Sequence, residues 1–219
     1  MVQRLDTGVE YHDTRGGSSI PMHLKALISL VTAIKASAPD VRLIVFGSSS
    51  AFGSFPDLAD DVAMYEATVD ADIVPEPLSG DVYLDLTEKV GKTSPFFDQH
   101  GYYADVNGPR AFDYMPTGFR DRLVPLPGVE NVFALEPNDM AVAKVIAGRP
   151  KDIQLLSVLL AKGYLDEATI RTRLWFMEMD DKLIVRCDQV LKAIVAAARE
   201  LGYTRQCPEQ PWKTLSPQS

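Results

Sequence analysis

The chain has 219 residues, of which 46% are hydrophobic, and a formal net charge of -8 at pH 7. That hydrophobic share excludes an intrinsically disordered chain and allows one compact domain with an appendage, or two small domains. The acidic balance argues against non-specific nucleic-acid binding, which needs clustered Lys and Arg.

Residues 1–17 are polar, end in Gly16-Gly17 and are expected to form a loose arm. "SSIPMHLKALISLVTAIKASAP" predicts a helix with Ser19 as cap and Pro21 in its first turn. Leu24, Leu27, Ile28, Val31 and Ile34 form its apolar stripe, and Pro39 stops it. "VRLIVFG" predicts a short buried strand, followed by the polar tip "GSSSAFGSF". "EATVDADIVPEP" alternates with period 2, so Val69, Ala71 and Ile73 face one way and Thr68, Asp70 and Asp72 the other. Pro75 and Pro77 are expected to end that strand.

In the region from 78 to 131, "DVYLDLTEKVG" predicts a short helix, and "YYADVN" and "RLVPLPG" predict short strands. "VENVFALE" predicts another strand. From Pro137 the pattern is helical: one helix to Gly148, one from Pro150 to Gly163, one capped by Asp166, and a last one over "DKLIVRCDQVLKAIVAAARELG". The last dozen residues read as a tail. Two cysteines, Cys187 and Cys207, cannot build a disulfide framework, and three scattered histidines (His12, His23, His100) have no zinc spacing. No apolar run approaches the roughly 20 residues of a membrane span, and no signal pattern opens the chain, so a cytoplasmic, reducing setting without a membrane is expected.

Three chemistries compete for the tip. A P-loop needs a Lys after its second Gly, and here Gly53 is followed by Ser54. A serine hydrolase would use Ser49, in faint likeness to the SGNH esterases. Ser48 stands where that family has an Asp, however, and no histidine follows His100. The third chemistry joins the tip to Asp70 and Asp72. Residues two apart on a strand share a face, so both carboxylates meet one spot and suit a hard cation such as Mg²⁺. Gly47 and Ser48 add donors without bulk, suiting close approach of a triphosphate. Each feature also has a plain reading, as a turn and as a solvated strand face.

The block "LEPNDMAVAKVIAGRPKDIQLLSVLLAKGYLDEATIRTRL", residues 135–174, resembles the matching block of the DUF6036 group of nucleotidyltransferase-like proteins. Its marks are Leu135, Asp139, Lys144, Arg149, Lys151 and Asp152. "GFRDRLVPL", with Arg120, Asp121 and Arg122, is similar too, as are "FGSSS" and "TVDADI". That group sits in the polymerase β-like superfamily, beside the AbiEii toxins and the mycobacterial tRNA-nucleotidyltransferase toxins. The resemblance implies that Gly47, Ser48 and Ser49, with Lys144 and Arg149, contact nucleotide phosphates. It implies that Asp70 and Asp72 hold Mg²⁺ or Mn²⁺, and that Lys144 rests on the triphosphate. Asp152 would complete the acidic cluster, with a role as base. Without the resemblance, Asp152 reads as a first-turn carboxylate that favours a helix start, and Lys144 as a snorkelling lysine. Asp105 and Asp113 are candidates for a third strand carboxylate, and the preferred reading of both is as loop-turn residues. Tyr102, Tyr103 and Tyr114 are placed to stack a base or to cover the sheet. Trp175, Phe176 and Met177 are expected to pack.

The fold expected is α/β (α+β), a nucleotidyltransferase-fold mixed sheet flanked by helices. Its expected divisions are an arm at 1–17, a core at 18–136, a helical region at 137–205 and a tail at 206–219. The function implied is transfer of NMP from an NTP to a hydroxyl on a tRNA 3′ end or a protein. The partners implied are a nucleoside triphosphate and a cognate antitoxin. The alternatives are an inactive nucleotide sensor of the same fold and, below it, the esterase.

Overall fold

The computed structural model describes residues 20–205. The expected arm at 1–17 and tail at 206–219, with Cys207, lie outside the described residues, as does the expected cap Ser19. Helix α1 runs Leu24–Ser37 and is capped by His23, whose Nδ1 accepts from the Ala26 amide at 3.1 Å. Pro21 therefore precedes the helix and does not lie in its first turn. The buried face of α1 is Ala26, Leu27, Leu30, Val31 and Ile34.

The strands are β1 (Arg42–Phe46), β2 (Asp70–Glu76), β3 (Tyr103–Val106), β4 (Val124–Pro125) and β5 (Val132–Ala134). They form one mixed sheet in the order β3-β2-β1-β5-β4. β1 is antiparallel to β2 and parallel to β5, β2 is parallel to β3, and β4 is antiparallel to β5. A short helix α2 (Leu58–Asp61) lies between β1 and β2, and α3 (Gly80–Val90) and α4 (Pro95–His100) lie between β2 and β3. Pro75 does not end β2, because it pairs with Leu43 of β1. The last β3 partner on the other side is Ile73, so a missing N–H costs no ladder bond there.

Alternation sorts the sheet into two faces. Leu43, Val45, Ala71, Ile73, Ala104, Val132 and Ala134 join α1 in the main core. The opposite face carries a smaller cluster of Ile44, Val74 and Phe112, with Phe46, Met115, Phe119 and Leu123 packed on it. Each such fully buried Leu, Ile or Phe contributes about 1.5–3 kcal/mol by leaving water.

The C-terminal half is helical: α5 (Pro137–Ala147), α6 (Pro150–Ala161), α7 (Glu167–Trp175) and α8 (Asp181–Glu200). Gly148, in the left-handed region at φ 61°, closes α5, and Pro150 opens α6 two residues later. That tight corner brings Lys144 of α5 beside Asp152 of α6. A second ion cluster fixes where α5 begins. Fully buried Asp139 accepts from Arg122 at 2.8 and 2.9 Å and from Arg173 at 2.9 Å. Arg173 also bonds the cap residue Glu136. Cys187 is buried in the apolar stripe of α8. Phe176 departs from expectation: it is exposed at the end of α7 instead of packing.

Candidate active site

β1 ends at Phe46, and Gly47 turns the chain with φ 65° and ψ -159°, a conformation in practice confined to glycine. A Cβ on Gly47 would fall 2.0 Å from Oδ2 of Asp72. Glycine is thus required twice here, by its backbone angles and because the Asp72 carboxylate occupies the side-chain space.

The following residues, Ser48–Gly53, form a 3₁₀ turn. Its serines mostly hold the turn together. Ser49 Oγ donates to the Asp70 carbonyl at 3.1 Å and Ser50 Oγ donates to the Gly47 carbonyl at 2.8 Å. The Tyr65 hydroxyl donates to the Ser48 carbonyl at 3.1 Å. The esterase alternative gains no support from this: the Ser49 hydroxyl is buried and engaged with backbone. The two described histidines are committed elsewhere. His23 caps α1, and His100 lies against Phe96 at 4.3 Å.

On β2, Asp70 and Asp72 project from one face while Ala71 and Ile73 are buried on the other, as the alternation predicts. The third acid is Asp105. It does not lie in a loop turn but on β3, directly opposite Asp72 in the parallel register. Burial, then the charges of Asp70 and Asp105, push the Asp72 pKa up to about 6, with Lys144 and Arg149 pulling the other way. Tyr103, opposite Asp70, is raised by burial and by the same three acids. The period-2 pattern of "YYADVN" places Tyr103 and Asp105 on one face and Ala104 and Val106 on the other. That was the available signal for the third acid. Asp113 follows a 3₁₀ turn and is exposed.

Facing the acids is a wall from the α5–α6 corner. Lys144 Nζ, nearly buried, donates to Asp152 Oδ1 at 2.8 Å. Arg149 Nε donates to Asp152 Oδ2 at 2.5 Å. Burial works to raise the Asp152 pKa, but the hydrogen bonds from Arg149 and Lys144 outweigh it and hold the carboxyl below the ordinary aspartate range. Asp152 therefore sits among cations, apart from the acid group, and Asp105 supplies the third strand acid.

The two walls enclose one cavity of about 540 Å³. Gly47, Ser48, Ser49, Asp70, Asp72, Lys144, Arg149 and Asp152 all line it, joined by Asp105 and Lys151. Of the three Nζ protons of Lys144, only the one given to Asp152 is used among the described residues. No group of three or more His, Cys, Asp or Glu side chains among the described residues could hold a metal ion unaided.

A family model described as a nucleotidyltransferase of unknown function (DUF6036) matches residues 22–186. The chain belongs to this family. The match spans both walls of the cavity, from before β1 into α8. No curated protein and no solved structure matches the chain. A nucleotidyltransferase binds a nucleoside triphosphate, and among the described residues no helix is long and apolar enough to cross a membrane.

Proposed function

We propose that this cavity binds a nucleoside triphosphate with Mg²⁺ or Mn²⁺ and transfers the NMP group to a hydroxyl acceptor. The observation that carries this reading is the meeting of Asp70, Asp72 and Asp105 with Lys144 and Arg149 across one cavity, in a chain of this family. The acids offer only oxygen ligands, burial and then their mutual repulsion raise the pKa of Asp72, and this chemistry fits a hard divalent cation. Mg²⁺ usually takes one or two protein carboxylates and completes its shell with water and phosphate, so a full protein cage is not required. Asp70 and Asp72 would hold it, and when bound it would offset phosphate charge and align the reacting oxygens.

The chain's own residues divide the remaining work. Lys144 and Arg149 hold the leaving pyrophosphate, supplying positive charge where negative charge accumulates. Asp152 is a positioning residue, fixing both cations by its hydrogen bonds. In the transfer the acceptor oxygen bonds to the α-phosphorus, and the bond from that phosphorus to the bridging oxygen breaks. The acceptor proton passes to Asp105, the exposed member of the three acids. Gly47 leaves Asp72 its space beside the tip. A tRNA 3′ end and a protein hydroxyl are the two acceptors considered. Modification of either would suit a toxin held by a cognate antitoxin.

The test is incubation with each labelled NTP, total tRNA and Mg²⁺, beside an Asp70→Asn/Asp72→Asn double variant. Label on RNA or on protein with the wild type alone supports transfer and names the acceptor. Label with neither protein, alongside NTP binding by the wild type, favours the sensor reading.

A further inference from the structure

The cavity of the acids has a neighbour beside α5. A second hollow of about 380 Å³ adjoins it, and Ala111, Met115 and Ala143 line both. The side chains common to both linings are thus two methyl-sized groups and one flexible thioether. The second hollow differs in chemistry from the first. No carboxylate lines it, its walls are mostly aliphatic, and its polar groups come from Tyr114 and Arg186.

Tyr114 is 59% exposed and stacks on no other aromatic ring among the described residues. Of the three tyrosines in this region it alone is open: Tyr102 is buried against Phe96, and Tyr103 packs on Phe97 beside the acids. Arg186 is held in place by donating to the Ala147 carbonyl at 2.7 Å. Its guanidinium also lies 3.2 Å from where a Gly148 Cβ would stand. A free aromatic face and an anchored guanidinium plane beside aliphatic walls are a surface for a flat heteroaromatic ring.

We infer that the second hollow, between Tyr114 and Arg186, is the subsite for the base of the nucleotide whose phosphates lie between the acids and Lys144. The inference rests on the triphosphate reading above and adds to it where the base lies and which side chain stacks on it. A ligand polyanionic at one end and flat and aromatic at the other matches the two neighbouring hollows in sequence. Recognition by ring face and aliphatic wall favours binding of several bases over strict selection of one.

Titration calorimetry with Mg²⁺ separates the two parts, using ATP, GTP, CTP, UTP and inorganic tripolyphosphate as probes. The wild type should bind at least one NTP more tightly than tripolyphosphate. Tyr114→Ala should weaken that NTP by roughly five- to a hundredfold, the range of stacking on one ring, and leave tripolyphosphate unchanged. Tyr114→Trp should keep the affinity, and Ala147→Phe, which fills the hollow from the end of α5, should lose it. Because Tyr114 is largely exposed, its truncation leaves the core intact. If Tyr114→Ala leaves NTP binding unchanged, or weakens NTP and tripolyphosphate equally, the base subsite is not here. If the wild type binds neither probe, the triphosphate reading fails and the base subsite fails with it.

Discussion

The two walls of the cavity solve the problem of buried charge in opposite ways. On the helix wall, Asp152 pairs with both Lys144 and Arg149 within hydrogen-bonding distance, and the trio keeps a net positive charge. On the sheet wall, Asp70, Asp72 and Asp105 stand together with no salt bridge of their own among the described residues, and burial, then the charges of its two neighbours, make Asp72 hold its proton unusually tightly. The helix wall is complete as folded. The sheet wall has no such partner among the described residues, and in the proposed function a cation fills that role. A site built this way keeps its positive side fixed and its negative side ready.

The largest expected effect is on chemistry. Asp72→Asn should reduce nucleotidyl transfer by about a thousandfold or more, and Lys144→Ala by about a hundred- to a thousandfold, read from initial rates with labelled NTP. Losses of less than about tenfold would mean that the walls do not act on the same reaction.

Next comes stability of the helix wall. Asp152→Ala removes the only partner of nearly buried Lys144 among the described residues. Urea unfolding should show a loss of about 3–5 kcal/mol, with a smaller loss for Lys144→Met/Asp152→Leu, which removes both charges.

The walls should also respond to pH in opposite directions. Asp72 is raised from 3.8 to about 6, so its favourable protonated form stabilises the fold fully below about pH 3.8, and that stability is lost as pH rises through about 6. Asp72→Asn should therefore be more stable than the wild type near pH 7, by on the order of 3 kcal/mol, and about equal to it in acid. Asp152 is lowered, so its contribution is present above the ordinary aspartate value and is lost as pH falls through its depressed pKa. Paired urea curves at several pH values separate the two trends. The smallest effect marks the floor: Lys89→Ala breaks an exposed i,i+4 pair with Asp85 and should cost no more than about 0.5 kcal/mol.

Much of this was legible in the residues because the responsible forces are local. Period 2 put Asp70 and Asp72 on one face, and Gly148 and Pro150 marked the corner that joins Lys144 to Asp152. What was not legible depended on partners distant in the chain. Ser94, Pro95 and Gly101 bracket α4 with an ordinary cap, first turn and stop, but the helix is too short to show a stripe. Asp105 took its meaning from the register of β3 on β2, which no single strand reveals. The ion cluster of Arg122, Glu136, Asp139 and Arg173 joins three separate elements, and only the meeting of α5, α7 and the 119–122 turn explains why a fully buried Asp139 is tolerated. The role of Asp152 changed most: the resemblance set it with the acids, whereas the fold sets it between two cations.

The claim that the sheet wall is finished by a divalent cation beneath phosphate is tested most directly by thermal unfolding near pH 7, with and without Mg²⁺ plus nucleoside triphosphate. The wild type should gain stability with ligand, about 2.7 kcal/mol when ligand stands at a hundred times its Kd. Asp70→Asn/Asp72→Asn should start from a higher melting temperature and gain little. An equal gain in both proteins, or none in the wild type at saturating concentrations, would contradict the account.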